Sequence, residues 1–151
     1  MATFGTFTAG QVLTASELNA AGAYTAYTPT YTNVTVGNGT SAFSYTQFNK
    51  LVHVVGRFTL GTTSAVTGLI TMTLPVNSFN TYNHTIGTCN FTDAGVAAYL
   101  GYPNLKDADE VYLFALNTAG TYLIEAATSA TIPFAWGNGD YFAVDLIYRA
   151  A

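Results

Sequence analysis

Charge is scarce in this sequence. Asp, Glu, Lys and Arg together make up 8% of it, against about 25% in ordinary soluble domains. Four basic residues against eight acidic ones give a net charge of −4. No basic patch can be assembled from so few cations, so binding of nucleic acid through phosphate contacts is not expected. Cysteine is almost absent too. Cys89 alone leaves no intramolecular disulfide framework and suits a reducing cytoplasm. No run of eighteen apolar residues occurs, so no membrane insertion is expected. No Lys or Arg precedes the first apolar residues, so a secretory signal is not expected either. The Asn-x-Ser/Thr sequons at Asn33, Asn38, Asn83 and Asn90 then carry no weight.

What fills the space is apolar and aromatic. Half of the 151 residues are hydrophobic and 15% are aromatic. That length suits one domain with a real core. A chain this oily either hydrates itself with Thr, Ser and Asn or has much of its surface covered in an assembly. Large apolar surfaces are uncommon on free monomers, which favours the assembly.

Residues 1–28 read as an arm. Within it, "VLTASELNAAG" is punctuated like a short helix over 15–21. Thr14 and Glu17 have capping-box spacing, Leu13 and Leu18 fit a hydrophobic staple, and Gly22 supplies the stop. Two turns cannot hold themselves together in water, so this helix needs a surface to lie on. Pro29 biases Thr28 toward an extended shape, and the arm is expected to enter the domain as a strand-like lead-in.

From residue 29 onward Thr, Val, Tyr, Phe and Ile dominate, and turn signals recur at short intervals. They are "GNG" at 37–39, "NK" at 49–50, "GTTSAVTG" at 61–68, "TDAG" at 92–95, "NTAG" at 117–120 and "WGNGD" at 136–140. That rhythm predicts an all-β fold, an antiparallel sandwich or barrel. Two strands declare their faces. Val52, Val54, Phe58 and Leu60 oppose His53, Arg57 and Thr59, while Phe142, Val144, Leu146 and Tyr148 oppose Ala143, Asp145 and Ile147. "EVYLFAL" is apolar on both faces, Val111, Leu113 and Ala115 on one and Tyr112, Phe114 and Leu116 on the other. Such a strand lies either between two layers or at a subunit interface, and the scarcity of charge favours the interface.

Chemistry-bearing clusters are few. His53 and His84 lack the neighbouring ligands that a metal site requires. His53 reads as a strand histidine hydrogen-bonded on a mixed face. Cys89 reads as a buried thiol, with nothing basic nearby in sequence to activate it. The acidic stretch "NLKDADE" at 104–110 offers Asp107, Asp109 and Glu110 for calcium or for paired catalytic carboxylates. The calcium-loop spacing is incomplete and one short loop rarely makes a glycan-cleaving cleft, so a solvated loop is the preferred reading. Arg57 and Asp145 lie on the polar faces of their strands and could pair if those strands are neighbours, which would be architecture, not catalysis. No catalytic residue, cofactor site or metal site is assigned.

Three stretches carry a resemblance. "FTAGQVLTASELNAAG" resembles the N-terminal segment of small virion proteins of tailed bacteriophages, of the minor tail or tail-fibre type. The stretch from "YTPTYTNVTVGNGT" to "LITMTLP" is similar to the start of the β-sandwich that follows it in that family, and "WGNGDYFAVDLIYRAA" to its last turn and strand. Residues 76–131 are divergent, and Asn49 stands where the family usually has Gly.

The resemblance implies a jelly-roll-like β-sandwich over 29–151, assembling as a homotrimer in a virion made in the host bacterial cytoplasm. Its arm, residues 1–28, would dock through Val12, Leu13 and Leu18 onto another virion protein or a neighbouring subunit. Tyr112, Phe114 and Leu116 are the candidate subunit interface. Loops near 76–83 and 101–110, with Tyr82, Tyr102, Asn104 and Asp107, are the candidate contacts to a host glycan or protein. A capsid decoration or head-fibre protein is the alternative, and a polysaccharide-trimming enzyme a more distant one.

Overall fold

The computed structural model describes residues 10, 12, 14, 15 and 22–151. Apart from Ala15, the expected helix over 15–21 lies outside the described residues, and so do Leu13 and Leu18. The strands are β1 (Thr25–Tyr27), β2 (Tyr31–Thr35), β3 (Thr40–Phe48), β4 (Leu51–Thr59), β5 (Ala65–Thr73), β6 (Gly87–Asp93), β7 (Ala97–Leu105), β8 (Glu110–Asn117), β9 (Ile124–Ala127) and β10 (Tyr141–Arg149). They form one antiparallel sheet in the order β1-β3-β4-β10-β6-β7-β8-β5-β2, with β9 added to β8. The sheet is curled into a half-barrel, and the fold is all-β.

Most turn signals fall where strands end. Asn49 and Lys50 form the tip of the β3–β4 hairpin, and Asn49 takes φ 52°, a conformation Asn tolerates in place of Gly. Only the first half of "GTTSAVTG" is a turn, since β5 begins at Ala65. There β-branched and aliphatic residues outweigh Gly68, which packs against the Asn33 side chain. Asp140 closes "WGNGD" from inside: its carboxylate accepts the N–H groups of Ala94 (2.9 Å) and Gly137 (2.6 Å). It thereby ties the β6–β7 turn to the start of β10. The strand-like lead-in is β1, paired with Phe43–Tyr45 of β3.

Alternation assigns the inner face correctly on the two strands that declared it. Val52, Val54, Phe58 and Leu60 are buried, as are Phe142, Val144, Leu146 and Tyr148. These two strands are neighbours, Leu51–Thr59 pairing with Tyr141–Arg149. On β4 the inward position between Val54 and Phe58 is Gly56, whose cross-strand partner is Phe43. A Cβ there would meet the Phe43 ring at 2.2 Å, so the missing side chain is the slot that Phe43 occupies. Tyr27 and Tyr31 pack edge-on or tilted against that ring.

Tyr31 belongs to β2, the strand at the opposite end of the sheet order from β1 and β3. Its ring also meets Phe58 (5.2 Å) and Phe142 (5.8 Å), and its hydroxyl lies 2.8 Å from Ser41 Oγ on β3. The two ends of the sheet are thus brought together through side chains.

A second device bends the sheet. β5 pairs with β8 only over Thr71–Thr73, and β9 takes over the same edge of β8 from Phe114 to Asn117. Between the two pairings stands Leu113. Thr128 fills that position with its hydroxyl, accepting the Ile70 N–H (2.8 Å) and donating to the Leu113 carbonyl (3.2 Å). A side chain therefore completes the ladder where two strands diverge.

Two predictions follow from this architecture. Thr128→Val keeps the shape but strands a buried N–H and a buried carbonyl, and is expected to cost roughly 2–4 kcal/mol in urea unfolding. Thr128→Ser is expected to retain most of that stability. The second concerns alkali. Burial raises the phenols of Tyr27 and Tyr148, and pushes Tyr31 from 10.0 up to about 12, its Ser41 bond acting the other way. The folded-state pKa of Tyr31 exceeds the unfolded one, so the stability it contributes is complete below pH 10 and is lost as pH rises through about 12, and Tyr27 and Tyr148 act in the same direction. Thermal unfolding scans across that window are expected to show a falling Tm, with a shallower fall in Tyr31→Phe.

Candidate interaction surface

The outer face of the curled sheet has two characters. Across β3, β4, β10 and β6 most outward positions are small or polar, among them Ser44, Arg57, Asp145, Thr88 and Asn90. On β7 and β8 they are mostly aromatic or aliphatic. Val111, Leu113 and Ala115 of β8 are buried inside, which leaves Tyr112, Phe114 and Leu116 half-buried outside. One apolar face of this strand packs in the core and the other lies on the outer surface of the sheet.

On β7, Leu100, Tyr102 and Asn104 share the outer side. Tyr102 pairs with Phe114 in register and its ring stacks on Phe114, with centroids 5.7 Å apart. Phe114 also meets Tyr112 at 5.8 Å, and Asn104 stands opposite Tyr112. Leu100 extends the band and is 70% exposed. The Tyr102 hydroxyl donates to the Glu125 carboxylate on β9. Burial first, and then that bond and the Glu125 charge, push the Tyr102 phenol up to about 12.

The candidate host-contact residues are therefore distributed differently from the sequence expectation. The loop expected near 101–110 is mostly strand: β7 runs to Leu105 and β8 starts at Glu110. Tyr102 and Asn104 lie on the same sheet face as Tyr112 and Phe114, so two residue sets separated in the sequence analysis form one surface. Within that stretch Pro103 sits at an inward, buried position, with its carbonyl accepting the Ile86 N–H. The Asn104 amide donates to Asn83 Oδ1 at 3.1 Å. Tyr82, next to Asn83, is 74% exposed.

In the β7–β8 turn, the Asp107 carboxylate accepts the N–H groups of Asp109 (3.2 Å) and Glu110 (3.0 Å), and Lys106 pairs with Glu110. A hydrogen bond with Asp107 raises the Asp109 carboxyl. These carboxylates are occupied in building the turn. No group of three or more His, Cys, Asp or Glu that would hold a metal occurs among the described residues. Cys89 is buried, its thiol raised by burial and pointed at the Phe114 carbonyl (3.8 Å).

One polar constellation escaped sequence reading in part. Asp145 stands opposite Val55, so His53 and Arg57 lie diagonally on either side of it. It takes His53: Nε2 is 2.9 Å from Asp145 Oδ1, and the Tyr24 hydroxyl is 2.5 Å from Nδ1. An Arg57–Asp145 pair is not formed, and the Arg57 guanidinium lies over the Tyr141 ring instead, 5.0 Å from its centroid. Alternation placed all three groups outward, but only register decides which diagonal closes. Tyr24 had no signal of its own, because its contact depends on β1 pairing with β3. Val12, the described member of the expected docking set, is 84% exposed.

No family model, curated protein or solved structure matches this chain. The surface must speak for itself. Glu125→Gln is expected to lower the Tyr102 pKa toward 10, read as earlier phenolate absorbance in an ultraviolet pH titration, and Tyr102→Phe to remove that phase.

Proposed function

We propose that this chain is a non-enzymatic structural protein of a tailed-bacteriophage virion, associated with the tail, docked by its N-terminal arm and displaying its β domain to the host surface. The observation that carries the reading is the outer face of β7 and β8. A Tyr102–Phe114–Tyr112 aromatic band with Leu100 and Leu116 lies on the solvent side of a sheet whose core is on the other side. Contiguous apolar surface of this kind is a mark of association. In this reading the band packs against other copies in a homotrimer, and the curled sheet is the jelly-roll-like sandwich of the family that the sequence resembles.

Two further features support it. The chain has too little charge to keep a bare surface hydrated in the usual way, being 8% charged. Val12 projects from the described part of the arm rather than entering the core. Tyr82 and the Asp107 turn, at the end of the sheet that Asn83 and Asn104 join, are the host-facing contacts; Tyr supplies rigid amphipathic area suited to glycans or proteins. Tyr102 and Asn104 belong with the subunit interface.

Deletion of residues 1–24 tests the reading. The truncated protein is expected to keep its β circular dichroism and cooperative unfolding while disappearing from purified particles. Loss of folding, or normal incorporation into particles, would overturn it.

A further inference from the structure

The other side of the outer face carries an apolar patch at the end where the arm begins. Leu51 is the first residue of β4, and Ile147 and Arg149 lie on the adjacent β10; Leu51 pairs with Arg149, and His53 with Ile147. Phe79 joins them through its N–H, donated to the Arg149 carbonyl at 2.8 Å, and through its ring, 4.0 Å beneath the Arg149 guanidinium. Leu51, Phe79 and Ile147 are 54%, 54% and 55% exposed. They lie on the same side of the sheet as His53 and Asp145. Beside them stands Tyr24, the last residue before β1, held to His53 by its hydroxyl and by an edge-on ring contact.

We infer that this patch receives the N-terminal segment of a neighbouring copy of the chain, so that copies are linked by exchanged arms. The inference rests on the docking role proposed for the arm and names its partner. Three observations select that occupant. The arm leaves from the border of the patch, because the Tyr24–His53–Asp145 chain fixes its root there. Leu18 is six residues from Tyr24, a reach of up to about 20 Å.

Charge is the second argument. Residues 1–24 carry a single charged side chain, Glu17, and the patch is flanked by Arg149, while the Lys50 ammonium is taken up by the Ala151 oxygen. Asp145 is already committed to His53, while the Arg149 guanidinium lies over the Phe79 ring face. An acidic, otherwise apolar segment fits such a surface. The third argument is exposure. Val12, at 84%, is not laid on the patch of its own chain.

Disulfide trapping tests this. Cys89 is buried and its thiol is held protonated, so it competes poorly for an oxidant. Leu18→Cys protein is mixed with Ile147→Cys protein and mildly oxidised, with Val96→Cys, a 75% exposed position on the β6–β7 turn, as the control partner. The expected result is a covalent heterodimer with the Ile147→Cys partner that is lost with the Val96→Cys partner. Arg149→Glu in the Ile147→Cys partner is expected to reduce its yield, and Glu17→Lys in the Leu18→Cys partner to restore it. The inference is overturned if the heterodimer is absent, if both partners trap equally, or if the double variant Leu18→Cys/Ile147→Cys closes only within one chain at high dilution. Failure here together with loss of the truncated protein from particles would leave the docking arm standing and send it to a different virion protein.

Discussion

The structure depends on Tyr31 crossing the open side of the curl. β2 and β3 stand near opposite ends of the strand order, and no ladder joins them. Tyr31 supplies the join, with its ring among Phe43, Phe58 and Phe142 and its hydroxyl on Ser41. Each aromatic contact is worth about 0.5–1.5 kcal/mol beyond area burial, so the ring contacts of Tyr31 supply a sizeable share of the roughly 5–15 kcal/mol by which a small domain is stable. Gly56 is part of the same arrangement, since the space it leaves is where Phe43 lies. Thr128 acts from the other end, completing the ladder where β5 peels away from β8.

Curling decides what the outer face is for. One concave side holds the core, so any apolar residue on the convex side is left for something outside the domain. The two apolar regions there differ in kind. The β7–β8 band is broad, stacked and half-buried, built from rings that already hold one another in place. The patch of Leu51, Ile147 and Phe79 is bordered by Arg149 and by the root of the arm. A band of rings braced against one another suits a like surface on another copy, and a bordered patch suits a short segment. A subunit carrying both has the means to pack sideways and to be tethered.

Much of the fold was legible because alternation is a local signal. Period-2 patterning on β4 and β10 named their buried residues one by one, and Gly or Asn marked most strand ends. Legibility failed where a residue's local preference was outvoted. The Gly101–Leu105 stretch read as loop, yet it lies between β8 and the segment 83–86 that leads into β6, where backbone pairing on both sides holds it extended. Likewise Ala65–Gly68 read as turn but pair with β2 at Val34 and Thr35.

The sequence by itself determined that the fold is all-β, which side of β4 and β10 is buried, that β8 has two apolar faces, and that Asn49 turns a hairpin. These follow from side-chain chemistry at neighbouring positions, which acts over a few residues. Tertiary structure alone decided that Tyr102 and Asn104 join Tyr112 and Phe114, that Asp145 takes His53 and leaves Arg57 to Tyr141, and that Tyr24 fixes the arm at the border of an apolar patch. Each of these depends on strand register between segments far apart in the chain, and register is set by the closing of the whole curled sheet rather than by any residue's own preference.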